Sequence, residues 1–155
     1  MNDFQKTLIG HALVVIVIAL LAGFMLAFGL IGGLEVTPGQ FIDVAIFGTT
    51  QGWARAHTGG VLNGLLMMAI AFALPHCDLT VQRQRLYARC MIFIGWANTI
   101  FYWFGNAAPN RALSFADNML GATNIFGMIG YGVALIGGLL TLAILIHMAR
   151  NLLRD

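Results

Sequence analysis

Charge is what this sequence has least of. Lys and Arg number 8 and Asp and Glu 6, so 9% of the 155 residues are charged, against roughly a quarter in soluble domains. Too few ionised groups are present to wet a globular surface, which excludes an ordinary soluble fold. The few cations form no dense run, so nucleic-acid binding is excluded as well. Cysteine is limited to Cys77 and Cys90, which flank one short polar loop without zinc or redox spacing and read as reduced thiols. Familiar catalytic signatures are missing: there is no Ser/His/Asp set, no HExxH and no phosphate-binding loop. The carboxylates Asp3, Glu35, Asp43, Asp78, Asp117 and Asp155 are all terminal or in loops, so no acid pair stands inside an apolar stretch to relay protons.

What is present instead is hydrocarbon, at 59% of the residues. A bilayer crossing takes about 20 apolar residues, so the length predicts an all-α integral membrane protein, a four-transmembrane-helix bundle in which residues 1–155 form one domain. The spans run from Thr7 to about Leu34, from His57 to Leu74 where Pro75 ends it, from about Leu86 to Phe104, and from about Asn118 to Met148. The first is too long for a signal-peptide core and lacks a small-residue cleavage site. Lys6, Arg83, Arg85, Arg89, Arg150 and Arg154 then share one side, leaving Arg55 and Arg111 on the other, so both termini are expected in the cytoplasm. The outer side holds two long connections, Glu35 to Ala56 and Gly105 to Asp117, punctuated by Pro38-Gly39 and Pro109. The methionines and the aromatic run FYWF read as packing and an interfacial belt.

Polar side chains gather in the outer half. Asn63 lies about 9 Å below His57 on span two, and Asn98 about 6 Å below Tyr102 on one face of span three. Asn118, Thr123 and Asn124 are placed in the first turns of span four. Buried amides in hydrocarbon are costly unless satisfied. Two readings stand: a polar pocket shared by several helices, or separate hydrogen bonds that merely join one helix to the next.

His57 divides in the same way, as a cap or interface residue, or as a ligand to a metal or haem. The glycines around it, Gly59 and Gly60, are expected to clear space for a planar macrocycle, and Arg55 is placed to meet an anionic substituent such as a propionate. His11, His76 and His147 are expected near the cytoplasmic face, a full membrane thickness away, so a haem on His57 would keep its other face open unless a residue such as Tyr102 or a methionine fills it.

The segments GWARAHTGGVLNG (Gly52 to Gly64) and GWANTIFYWFGNAAPNRALSF (Gly95 to Phe115), with weaker likeness at Pro38-Gly39 and over Asn118 to Phe126, resemble the styrene oxide isomerases, small membrane enzymes of bacterial epoxide metabolism. The resemblance implies a multi-pass protein of the bacterial inner (cytoplasmic) membrane. It also implies a homotrimer with a ferric haem b in each subunit-interface pocket, His57 being the axial ligand and Arg55 and Gly60 lying beside the cofactor. The implied reaction is a Meinwald rearrangement of a small apolar aryl epoxide to an aldehyde, with the iron as Lewis acid, and Asn63 and Tyr102 as catalytic residues of a substrate pocket that includes Asn98. A dry apolar wall and the lack of an intramembrane acid suit that chemistry. One position departs from the family pattern: an Asp there precedes Gly-Trp-Ala-Asn, and Ile94 stands in its place. Two other classes stay open on the sequence, a haem-binding or sensing module without isomerase activity and a haem-free scaffold subunit.

Overall fold

The computed structural model describes residues 1–153; Arg154, counted above among the cations of one side, and Asp155 lie outside the described residues. Four long helices carry the chain: α1 (Asp3–Ile31), α2 (Thr50–Ala73), α3 (Val81–Asn106) and α4 (Ile125–Leu152). A hairpin of β1 (Gly33–Thr37) and β2 (Gln40–Asp43) joins α1 to α2, and a 3-10 turn (Leu74–His76) follows α2. By length and composition α1, α2 and α4 are apolar enough to cross a membrane. The helix α3 contains the expected third span but is less apolar, since Arg83, Gln84, Arg85 and Arg89 fill its first turns and Asn98 and Thr99 its middle.

Side-chain contacts fix the helix directions. Gln5, at the start of α1, donates from Nε2 to the Ala71 carbonyl at the end of α2 (2.8 Å), so these two run antiparallel. Thr49, just before α2, gives its backbone N–H to Asn106 Oδ1 at the end of α3 (2.9 Å). Tyr87 near the start of α3 bonds His147 near the end of α4 (2.9 Å). The start of α1, the end of α4 and the 77–80 connection therefore lie at one end of the molecule, with Lys6, Arg83, Arg85, Arg89 and Arg150; the hairpin and the 107–124 connection lie at the other. The helices α1, α2 and α3 pack mutually, whereas α4 packs chiefly on α3.

Two apolar clusters fill the interior. One, towards the chain ends, includes Leu8, Val15, Met67, Leu74, Met91, Ile94 and Met148. The other, towards the hairpin, centres on Trp53, Ala22 and Ala56 with Tyr102 and Trp103 against them. Trp53 is anchored by its Nε1–H, which donates to the Phe47 carbonyl (2.9 Å). Cys77 and Cys90 are free thiols, and burial raises the pKa of Cys77 above its ordinary value.

Two helix starts differ most from the sequence reading. The helix α2 begins two turns before His57, because Thr49 caps it by accepting from Gly52 N–H (3.0 Å). The helix α4 begins at Ile125 rather than near Asn118, since Asn124 is its cap and accepts from Gly127 N–H (2.9 Å). Asn118 instead pairs with Gly121 in an isolated bridge, so Asn118 and Thr123 belong to the connection and not to a span. The Glu35 to Ala56 connection is partly ordered as the hairpin, whose turn places Pro38 before Gly39 at φ 80°, a left-handed position suited to glycine.

The close approach of α1 to α2 depends on Gly64, where an added Cβ would strike the Ile16 side chain and stand 3.0 Å from the Ala12 carbonyl oxygen. Gly64→Val is expected to destabilise the protein by about 1–3 kcal/mol or more through overpacking. Gly10→Ala, with nothing within 4 Å of its added Cβ, is expected to be neutral or stabilising. Thermal unfolding of the three proteins in detergent checks the contrast.

Candidate functional site

His57 sits in the third turn of α2, half-buried on the flank that faces α1. Its Nδ1 lies 2.9 Å from the Ala19 carbonyl oxygen, an acceptor, so the proton resides on Nδ1. The ring lies over Gly23, where an added Cβ would come within 2.7 Å of that nitrogen. A backbone carbonyl that fixes the tautomer is the usual outer support of a ligating histidine, and it leaves the Nε2 lone pair unprotonated. Position, tautomer and ring plane are thus all set by α1.

The flanking glycines do something other than the sequence suggested. Gly60 is buried against Ala19, whose Cβ would stand 2.6 Å from an added methyl, so it closes the α1–α2 seam and opens no space beside the imidazole. Gly59 receives the Tyr102 ring, with Cζ 2.5 Å from the site of an added Cβ. Gly59 and His57 are two positions apart, about 200° around the helix. Within one chain the imidazole and the Tyr102 phenol therefore lie off opposite flanks of α2.

Asn63 and Asn98 meet in hydrogen bonds that join one helix to the next, the second of the two readings above. Asn63 is 5% exposed and donates from Nδ2 to the Gly95 carbonyl (2.9 Å), while its Oδ1 accepts from Asn98 Nδ2 (3.1 Å). Within one chain these bonds occupy the Asn63 carboxamide in joining α2 to α3. Tyr102 stands one turn above Asn98 on the same face of α3, its hydroxyl without a hydrogen-bond partner among the described residues. Ile94, one turn below Asn98, is fully buried among Met67, Met91 and other apolar groups, surroundings that suit an aliphatic side chain.

Arg55 lies on the Tyr102 flank, not on the His57 flank. A cavity of about 40 Å³ between α2 and α3 is lined by Arg55, Phe101, Tyr102, Asn106 and Arg111 together with Gly52 and Gly105. It adjoins a wider cleft of about 740 Å³ walled by Phe47, Trp103, Phe104 and Phe126. Asn106 and Arg111 belong to the second quoted segment but went unremarked as site residues. The available signal was polar groups directly following an aromatic run. Arg111 is held by an unusual turn: it and Ala112 are left-handed, at φ 57° and 54°. The buried Asn110 fixes that turn, donating to the carbonyls of Ser114 (3.0 Å) and Ala116 (3.2 Å) and accepting from Ala112 N–H (3.1 Å).

The remaining histidines stay out of reach of His57. His11 accepts from Trp96 Nε1 (3.2 Å) and His147 bonds Tyr87. His11 is nearer than a membrane thickness, however: it lies 8 to 12 residues along α1 from Ala19 and Gly23, roughly 12–18 Å, still far beyond a shared metal. No group of three or more His, Cys, Asp or Glu side chains suited to a metal ion occurs among the described residues.

Four long helices, three of them long and apolar enough to cross a bilayer, define a multi-helix protein of the membrane class. The family is specific: the sequence profile of styrene oxide isomerase matches residues 4–153, and the chain belongs to that family. It is 37% identical over 145 residues to the styrene-oxide isomerase of Pseudomonas fluorescens, covering 94% of this chain and 86% of the relative. The chain is accordingly an isomerase.

Proposed function

We propose that the protein rearranges an aryl epoxide such as styrene oxide to the aldehyde, phenylacetaldehyde, with a ferric haem b ligated by His57 Nε2. The observation that carries this is the Nδ1 to Ala19 carbonyl bond, which prepares the imidazole for metal ligation. When bound, the haem supplies a Lewis acid for the epoxide oxygen. In the substrate the benzylic C–O bond opens, a hydride migrates to the cationic carbon, and the oxygen becomes the aldehyde carbonyl, so no atom is gained or lost.

The chain's own residues provide the setting. The apolar flanks of α1 and α2 exclude water that would trap the cation as a diol. Tyr102 offers a free hydroxyl to orient the epoxide, and the Asn63–Asn98 pair sets the polar layer one turn beneath it. Because His57 of α2 and Tyr102 of α3 lie off opposite flanks of α2, the reading sets the site between copies, His57 of one facing Tyr102 of the next, in a homotrimer. The bacterial inner membrane is the proposed location, with both termini in the cytoplasm and an apolar substrate entering from lipid.

The test is turnover. Purified protein given styrene oxide is expected to yield phenylacetaldehyde as the sole product, with no diol, and to show a Soret band. Diol as the main product, or inertness towards a range of aryl epoxides in protein that carries the band, would overturn the proposal.

A further inference from the structure

We infer that Arg55, Arg111, Asn106 and Tyr102 form a binding site for a carboxylate carried on a flat, apolar body. Both guanidiniums line the 40 Å³ cavity, and both bend towards Gln51: Arg55 Nε donates to its carbonyl (3.4 Å) and an Arg111 Nη to its Oε1 (3.2 Å). Neither has a carboxylate within ion-pair distance among the described residues, where the one ion pair is Lys6 with Asp3. Two like charges held side by side without a counter-ion repel each other, a cost that a bound anion removes.

A third donor points the same way. Asn106 Nδ2 is buried with no partner, while its Oδ1 is occupied by the Thr49 backbone N–H (2.9 Å) and hydroxyl (3.4 Å). That bond fixes the carboxamide so that its donor side is the one left over. Gly52 and Gly48 are what allow Asn106 to lie there, since a Cβ at either would collide with its carboxamide. Tyr102 borders the same cavity. A buried amide donor is not left orphaned without cost, and the two guanidiniums beside it, which can only donate, favour an acceptor-rich anion. A cavity this small takes a carboxylate, and the adjoining cleft, with Phe47, Trp103, Phe104 and Phe126, takes the flat apolar body attached to it.

Two sources share that chemistry: a free aryl carboxylate, and the propionates of the haem proposed above, anchored by a neighbouring copy. The second rests on the proposed function and the first does not. One arm of the test titrates stripped protein in nanodiscs with phenylacetate and with its neutral counterpart 2-phenylethanol, read by fluorescence of the cleft tryptophan Trp103. The other arm reloads stripped protein with haem or haem dimethyl ester, read by the Soret band.

Wild-type protein is expected to prefer the carboxylate over the neutral form by at least about tenfold in one or both arms, as charge-assisted hydrogen bonds imply. R55Q/R111Q is expected to abolish the preference, R55K/R111K to reduce it by loss of the forked geometry, and R83Q/R85Q, at the other end, to leave it unchanged. Preference with phenylacetate alone assigns a free ligand, and preference between the two haems assigns the propionates. No preference in either arm, or one that survives R55Q/R111Q, overturns the site. Failure of any haem to bind removes the haem reading but leaves the phenylacetate arm to decide this one.

Discussion

Replacing His57 with alanine is expected to abolish the Soret band of the purified protein and to lower epoxide turnover by more than about 100-fold, since loss of even an outer support of a metal ligand costs 10–100-fold. The fold should survive. The imidazole bonds the Ala19 carbonyl, which as part of α1 already has a helical partner, so its removal orphans no buried group. Free imidazole is expected to restore part of the band by entering the space left over Gly23. Gly23→Ala supplies the complementary case: its methyl would come within 2.7 Å of His57 Nδ1, displacing the ring while leaving every ligating atom present. It is expected to lower haem affinity by roughly 10–100-fold. Unaltered spectra in both variants would show that the imidazole has no part in cofactor binding, whatever the protein's activity.

The second large effect is expected at Asn110, which is 0% exposed and touches none of the proposed chemistry. Asn110→Ala removes two donor bonds and one acceptor bond; the Ala116 carbonyl still accepts from the Ser114 hydroxyl, so the Ser114 carbonyl and the Ala112 N–H are the groups left unsatisfied, at about 1–3 kcal/mol each and roughly 2–5 kcal/mol together. It also removes the tie on Arg111 and Ala112, whose left-handed backbones cost about 1–2 kcal/mol each and persist only because the turn is over-determined. Hydrogen exchange should show loss of protection over residues 108–118 before the helices are affected, with a lower unfolding temperature. Asn110→Asp keeps the acceptor but turns a carboxylate oxygen towards the two carbonyls that the amide served, and is expected to cost at least as much.

Much of the helical plan could be read from the chain because it is one-dimensional information. Uninterrupted apolar runs locate α1 and the middle of α2, and the segregation of cations to one end matches where Lys6, Arg83, Arg85, Arg89 and Arg150 stand. Boundaries failed where a polar cap decided them. Asn118 to Asn124 carries no charge, so hydropathy ran the fourth span through it, yet the Asn124 side chain starts α4 and the preceding residues fold back on Pro109 and Asn110. Thr49 likewise starts α2 well before the apolar run becomes continuous.

The candidate site was legible as a set of residue types and illegible as an arrangement. Asn63 with Asn98 follows from helix depth and direction. That Gly60 would serve α1, Gly59 would serve Tyr102, and Arg55 would face away from His57 depends on which neighbour each flank of α2 receives. Nothing in a single helix's periodicity says that. Asn106 and Arg111 were missed for a related reason: their meaning lies in what they lack, an unpaired amide and an uncompensated cation, and an absence of partners is visible only once the partners' places are known.

The divergence of His57 and Tyr102 across α2 bears on assembly. If both serve one reaction, each copy presents unlike surfaces to its two neighbours, a head-to-tail junction that ends only when a ring closes. A lone subunit then holds two halves of different catalytic centres and none entire, and an open pair completes a single one. Turnover would be a property of the closed ring, so whatever loosens the junction would switch off the chemistry without touching any reacting group.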